Sequence, residues 1–152
     1  MSQSNPSLFA KRGAGAAAPQ LTSHDMFRLE ALLWQEMTSF HPARGRLIRV
    51  LEDIEIVESE ALAPDIATIG SLVSYRFGFW EPEERYLMLP ALCRADRPHL
   101  DVSSALGLAI IGQRAGARVP LVIGEGPRVL VDILSVHFQP EEAARRGTAS
   151  PR

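Results

Sequence analysis

Glu58-Ser59-Glu60-Ala61-Leu62-Ala63-Pro64-Asp65 is the stretch on which the fold turns. Before it, apolar residues recur every three or four positions; after it, they recur about every second position. The change of period marks the end of a helical unit and the start of a β-rich one, and Pro64 in an acidic run makes the segment a linker. The chain is therefore expected to be α+β. A short N-terminal antiparallel helical hairpin, coiled-coil-like, occupies 21–56, and an antiparallel β-sheet domain with one short helix occupies 63–140.

Upstream of the linker, Thr22 and Ser23 precede His24 and Asp25. A hydroxyl there caps free backbone N–H groups, and an acid in the first turn meets the positive end of the helix dipole. The helix is expected to reach about Phe40. Met26, Leu29, Leu33 and Met37 form its apolar stripe, with Leu32, Trp34 and Phe40 widening it. Trp34 is accordingly expected to be buried, and Trp34→Ala to cost about 3–5 kcal/mol. Pro42 and Gly45 interrupt the pattern, so His41-Pro42-Ala43-Arg44-Gly45 forms the hairpin tip. A second helix from roughly Arg44 to Ile54 gathers Leu47, Val50, Leu51 and Ile54 on one side and packs back on the first.

Downstream, Ile66 to Ile69, Leu72 to Phe77 and Arg85 to Leu89 read as strands, with Glu81-Pro82-Glu83 as a turn. Ser103-Ser104 before Ala105 to Ile111, and Gly112 after it, favour a short buried helix. Val119 to Ile123, the turn Gly124-Glu125-Gly126-Pro127, and Val129 to Phe138 form a closing hairpin dense in β-branched residues. Residues 1–20 and 141–152 read as flexible tails.

Among its 152 residues, hydrophobic types make up 46% and charged types 22%, which suits a chain that folds by packing a core. A net charge of −2 supplies no global field for a polyphosphate, so direct sequence-specific nucleic-acid binding is not expected. The single cysteine, Cys93, allows neither an internal disulfide nor a thiolate zinc cage, and fits a reducing cytoplasm. The longest apolar runs fall far short of the ~20 residues that cross a bilayer, and the N-terminal region lacks the apolar segment of a secretory signal.

Ser103, Ser104, Cys93, His99 and Asp101 lie close in sequence, which raises the question of an activated nucleophile. A helix cap explains the serines more simply, and Cys93 follows an apolar strand. His24, His41, His99 and His137 are scattered without the spacing of a metal site, and neither Gly13-Ala14-Gly15 nor Gly124-Glu125-Gly126 is a phosphate-binding loop. No catalytic residue, metal ligand, cofactor or small-molecule substrate is expected. Glu81, Glu83 and Glu84, and the acids between Glu52 and Glu60, read as solvated surface. His41, Arg44, Arg46 and Arg49 give the hairpin tip a positive edge and are the candidate contacts for an acidic protein partner.

Three segments carry a family resemblance: Ala63-Pro64-Asp65-Ile66-Ala67-Thr68-Ile69-Gly70-Ser71, Ser103-Ser104-Ala105-Leu106-Gly107-Leu108-Ala109-Ile110-Ile111-Gly112, and Ile133-Leu134-Ser135-Val136-His137-Phe138-Gln139-Pro140-Glu141. In this order they resemble the regulators of nucleoside diphosphate kinase, relatives of the bacterial Gre transcript-cleavage factors through their C-terminal domain. The resemblance spans roughly Leu21 to Pro140. It implies an FKBP-like C-terminal domain, a short coiled hairpin, and RNA polymerase as partner near its secondary channel. Gre factors carry a long hairpin whose acidic tip helps hold a catalytic Mg²⁺ inside the polymerase. Here the arms are short, and His41, Pro42, Ala43 and Arg44 stand where acids are needed, so transcript cleavage is not expected. The chain departs from the family at Gln113-Arg114-Ala115-Gly116-Ala117, which lacks a frequent acid, and at Arg94-Ala95-Asp96-Arg97-Pro98. Two other readings follow from the same residues. One is an interaction module for a nucleotide kinase or another cytoplasmic protein; the other is an FKBP-like prolyl isomerase with a pocket built from Phe77, Phe79, Trp80 and Tyr86.

Overall fold

The computed structural model describes residues 17–122 and 124–147. Two short strands, β1 (Gln20–Leu21) and β2 (Glu55–Ile56), pair in parallel and bracket the helical hairpin formed by α1 (Ser23–Glu36) and α2 (Arg44–Asp53). The hairpin thus enters and leaves the molecule at one place. Thr22 caps α1, its hydroxyl accepting from the Asp25 amide at 3.2 Å. The helix stops at Glu36, short of Phe40, because Met37 is extended.

A curled, mostly antiparallel sheet follows, made of β3 (Leu72–Phe77), β4 (Glu83–Met88), β5 (His99–Asp101), β6 (Arg118–Val122) and β7 (Arg128–Phe138), in the order β5-β4-β3-β7-β6. Only β5 runs parallel to its neighbour. Register shifts between β3 and β7 at Leu72/Val73 and Ser74/Tyr75 introduce the bulges that bend the sheet. Helix α3 (Ala105–Ile110) packs against it, starting at Ser104, whose Oγ accepts from the Gly107 amide at 3.0 Å. Gly107 is demanded by this turn: a Cβ there would stand 2.2 Å from the Asp101 carbonyl oxygen.

Leu29, Leu33 and Leu47 of the hairpin, Leu108 and Ile110 of α3, and Val73, Leu87, Val131 and Ile133 of the sheet belong to one continuous buried cluster. The hairpin and the sheet therefore share a buried core.

Several expectations need correction. Trp34 is 71% exposed and Phe40 94%, whereas the buried direction of α1 runs through Asp25, Leu29, Leu32 and Leu33. At 3.6 residues per turn Trp34 sits about 100° beyond Leu33, past the edge of the stripe. Ile66 to Ile69 is no strand; Ile66 makes one isolated bridge to Arg114. Its amides are taken elsewhere, that of Thr68 by the Ser71 hydroxyl and that of Ile69 by the Asp25 carboxylate. The region after Pro140 does not fray at once: α4 (Pro140–Arg145) follows, with proline in its first turn, Ala143 buried, and the Arg145 guanidinium donating to the carbonyls of Ser59 and Leu62. Most of the tail expected over 1–20 lies outside the described residues, and its last residue, Gln20, is in β1.

Candidate partner-binding site

The described tip of the hairpin, Met37 to Arg44, contains no acidic residue. Its conformation is set by its own polar groups. The His41 Nδ1 accepts from the Ala43 amide at 3.1 Å, holding the turn into α2. Arg44 reaches back and donates to the Met37 carbonyl at 3.2 Å, satisfying a carbonyl that the end of α1 leaves free. The same guanidinium lies over the Trp34 ring, 5.5 Å from its centroid, within the range of a cation–π contact.

Phe27, seven residues before Trp34, is 67% exposed on the same side of α1. Two turns of helix bring residues seven apart nearly into line. The outer face of the hairpin therefore carries Phe27, Trp34 and the Arg44 guanidinium, with Phe40 at the tip. The aromatic members were missed from the sequence as surface residues; the seven-residue spacing of Phe27 and Trp34 was the available sign.

The four cationic candidates do not act as one patch. Arg46 donates to the Val122 carbonyl at 2.7 Å and so clamps α2 to the end of edge strand β6. Arg49 is exposed, and with Arg46 and Arg128 it borders a groove of about 540 Å³ whose floor is Val50, Leu108 and Leu121. His41 and Arg44 shape the tip itself.

At the base of the hairpin, Asp25 is fully buried. One carboxylate oxygen accepts from the Ile69 amide at 3.1 Å and the other from Arg28 at 2.5 Å. Nearby, Glu141 accepts from the Thr68 hydroxyl at 2.8 Å; burial pushes its carboxyl above the ordinary range, and the Asp25 charge adds to that shift. This polar junction joins α1, the 66–71 turn and α4.

The residues tested for chemistry are occupied structurally. Asp101 accepts from both the amide and the hydroxyl of Ser103, at 2.8 and 2.7 Å, and Ser104 caps α3. The His99 Nδ1 accepts from the Arg94 amide at 3.0 Å, and burial pushes the Cys93 thiol up. Among the described residues no group of three or more His, Cys, Asp and Glu gathers to hold a metal ion. Of the four aromatics proposed for a pocket, Phe77, Phe79 and Trp80 border an open groove, and Tyr86 stands apart with its ring edge-on to His99 at 6.4 Å. No helix among the described residues is long and apolar enough to cross a membrane.

No family model matches the chain. It is similar to the "Regulator of nucleoside diphosphate kinase" of Escherichia coli K12, 27% identical over 120 residues that cover 78% of this chain and 88% of the relative. The same figures hold for the protein of that name in Shigella flexneri. Among solved structures it is similar to a prokaryotic transcription elongation factor GreA/GreB from Nitrosomonas europaea, with a TM-score of 0.62 and 27% identity over 79% of this chain and 98% of that one. The relation to these regulators and to Gre factors, and the α+β architecture of a helical hairpin before a Gre-like sheet, agree with the reading of the sequence.

Proposed function

We propose that this chain is a non-enzymatic transcription regulator that binds bacterial RNA polymerase near its secondary channel, with the hairpin over 21–56 pointing inward, the domain over 63–140 docking on the rim, and no transcript cleavage. The observation that carries this is the hairpin tip. It presents Trp34 stacked under Arg44 and an exposed Phe40, with no carboxylate to hold a metal ion. Such a tip suits occupancy and contact, since aromatic and arginine side chains dominate protein interfaces. The likeness to an elongation factor and to a regulator, proteins not named as enzymes, supports the same class. The cytoplasm is the compartment this function requires.

The test is competition for purified core RNA polymerase between this protein and a Gre factor. Displacement that weakens with Trp34→Ala and with Arg44→Glu supports the reading, and with it the tip as a contact. Absence of binding at micromolar concentrations refutes it. The name of the Escherichia coli relative favours a second reading, regulation of a nucleoside diphosphate kinase by direct binding. Titrating that kinase in the same assay separates the two.

A further inference from the structure

The turn between β3 and β4 holds two aromatic side chains in water, Phe79 at 107% exposure and Trp80 at 73%. This placement is built into the backbone. Gly78 adopts φ +62° and donates its amide to the Leu130 carbonyl at 2.8 Å, and the Trp80 amide donates to the Phe77 carbonyl at 3.1 Å. A side chain at Gly78 would press on Val129 at 3.2 Å in a backbone conformation that L residues rarely adopt. The turn is thus pre-organised, yet it leaves both rings in water, where their apolar surface contributes nothing to folding. Packing among the described residues does not explain it.

Behind the aromatics lies an open groove of about 850 Å³ whose apolar wall is Phe77, Val129 and Leu130. Its polar rim is Arg76, Arg118, Arg128 and Asp132. Arg118 and Asp132 neutralise each other at 2.7 Å. Arg76 and Arg128 have no side-chain hydrogen bond or ion pair among the described residues. The groove therefore offers two free guanidiniums beside two exposed rings, and Arg128 continues the positive edge into the groove it shares with Arg46 and Arg49.

We infer that this groove binds an acidic protein segment, with an apolar side chain against Phe79 and Trp80 and carboxylates on Arg76 and Arg128. Arginine forks match carboxylates in geometry as well as charge. The occupant binds through side chains and does not extend the sheet. The edge strand β6 contains Pro120, which lacks a donor, and its Val122 carbonyl is already taken by Arg46. Single-stranded nucleic acid would also use rings and arginines. It carries a charge at every nucleotide, however, and Glu81, Glu83 and Glu84 follow the aromatic turn directly in a chain of net charge −2. A peptide can place its carboxylates only where the arginines are.

The experiment uses the full chain with Trp34→Phe, which leaves Trp80 as the single tryptophan reporter. A short peptide alternating Glu and Leu is titrated, with the corresponding Gln and Leu peptide and oligouridylate as controls. The expected result is a saturable blue shift of Trp80 emission with the Glu peptide, roughly tenfold weaker when Arg76→Ala or Arg128→Ala removes a charge-assisted contact. Phe79→Ser, at an exposed position, should weaken binding while leaving the unfolding midpoint unchanged. No saturable shift, equal binding of the Gln peptide, or tighter binding of oligouridylate each overturns the inference. Because no polymerase is present, failure here leaves the hairpin reading to its own test.

Discussion

Replacing Asp25 by alanine probes whether the hairpin is held by its buried junction. The carboxylate is fully buried and accepts from the Ile69 amide at 3.1 Å and from Arg28 at 2.5 Å. Alanine leaves the Ile69 amide buried without an acceptor, a loss of about 1–3 kcal/mol, and strips Arg28 of its ion-pair partner, worth about 1–2 kcal/mol at a side chain that still touches water. Together they amount to about 2–5 kcal/mol. Asparagine in its place keeps an acceptor for the Ile69 amide but turns an N–H₂ towards Arg28, so Asp25→Asn should cost about half as much. In urea, with a slope near 2 kcal/mol/M for a chain this size, the alanine variant should unfold at a midpoint lower by about 1–2.5 M. Amide exchange at Ile69 should accelerate in the same variant. An alanine variant within about 1 kcal/mol of the parent, or one no worse than the asparagine variant, would refute the claim that this carboxylate holds hairpin to sheet.

Trp34→Ala should lower stability by less than about 1 kcal/mol in the same urea assay, because only the contact with Arg44 is lost, while polymerase competition weakens; a loss of 3–5 kcal/mol would restore a buried Trp34. Glu141→Gln addresses pH. The Glu141 carboxyl is pushed up in the folded state by burial, so its contribution is fully present below its ordinary value of about 4.5 and is lost as pH rises through the folded value. The glutamine variant should therefore be more stable than the parent at neutral pH, with the gap closing towards about pH 4.5; a gap that grows on acidification contradicts the assignment. Gly107→Ala should cost about 3 kcal/mol or prevent folding, since the added methyl meets backbone at 2.2 Å, and thermal melting decides it.

The elements that could be read from the sequence are those whose hydrogen bonds close locally or between long apolar runs. Helices α1 and α2, strands β3, β4 and β7, and the Ser104 cap all fall within a few residues of their expected bounds. The failures share a cause. Ile66 to Ile69 has strand-like residues, but its amides are claimed by a carboxylate 44 positions away and by a neighbouring hydroxyl. Strand β5 is three residues in a polar loop, recruited because the β4 edge needs a partner. Helix α4 exists because Arg145 and Gln139 find carbonyls between Ser59 and Ile66, which no local pattern announces.

The site was less readable, and the arginines show why. Composition counts a guanidinium as positive surface whether or not the fold uses it. Arg46 answers a carbonyl on β6, and Arg44 answers one on α1, while Arg49 stays exposed and Arg76 and Arg128, on strands where no basic site was expected, have no ion-pair partner among the described residues. The aromatic residues err in the opposite direction: Trp34 and Phe40 were placed in the buried stripe by hydrophobicity, yet the backbone turns both outward. Charge that looked available is partly internal, and apolar surface that looked internal is available. What a partner can recognise on this chain is therefore decided by which side chains the backbone leaves without a partner of their own.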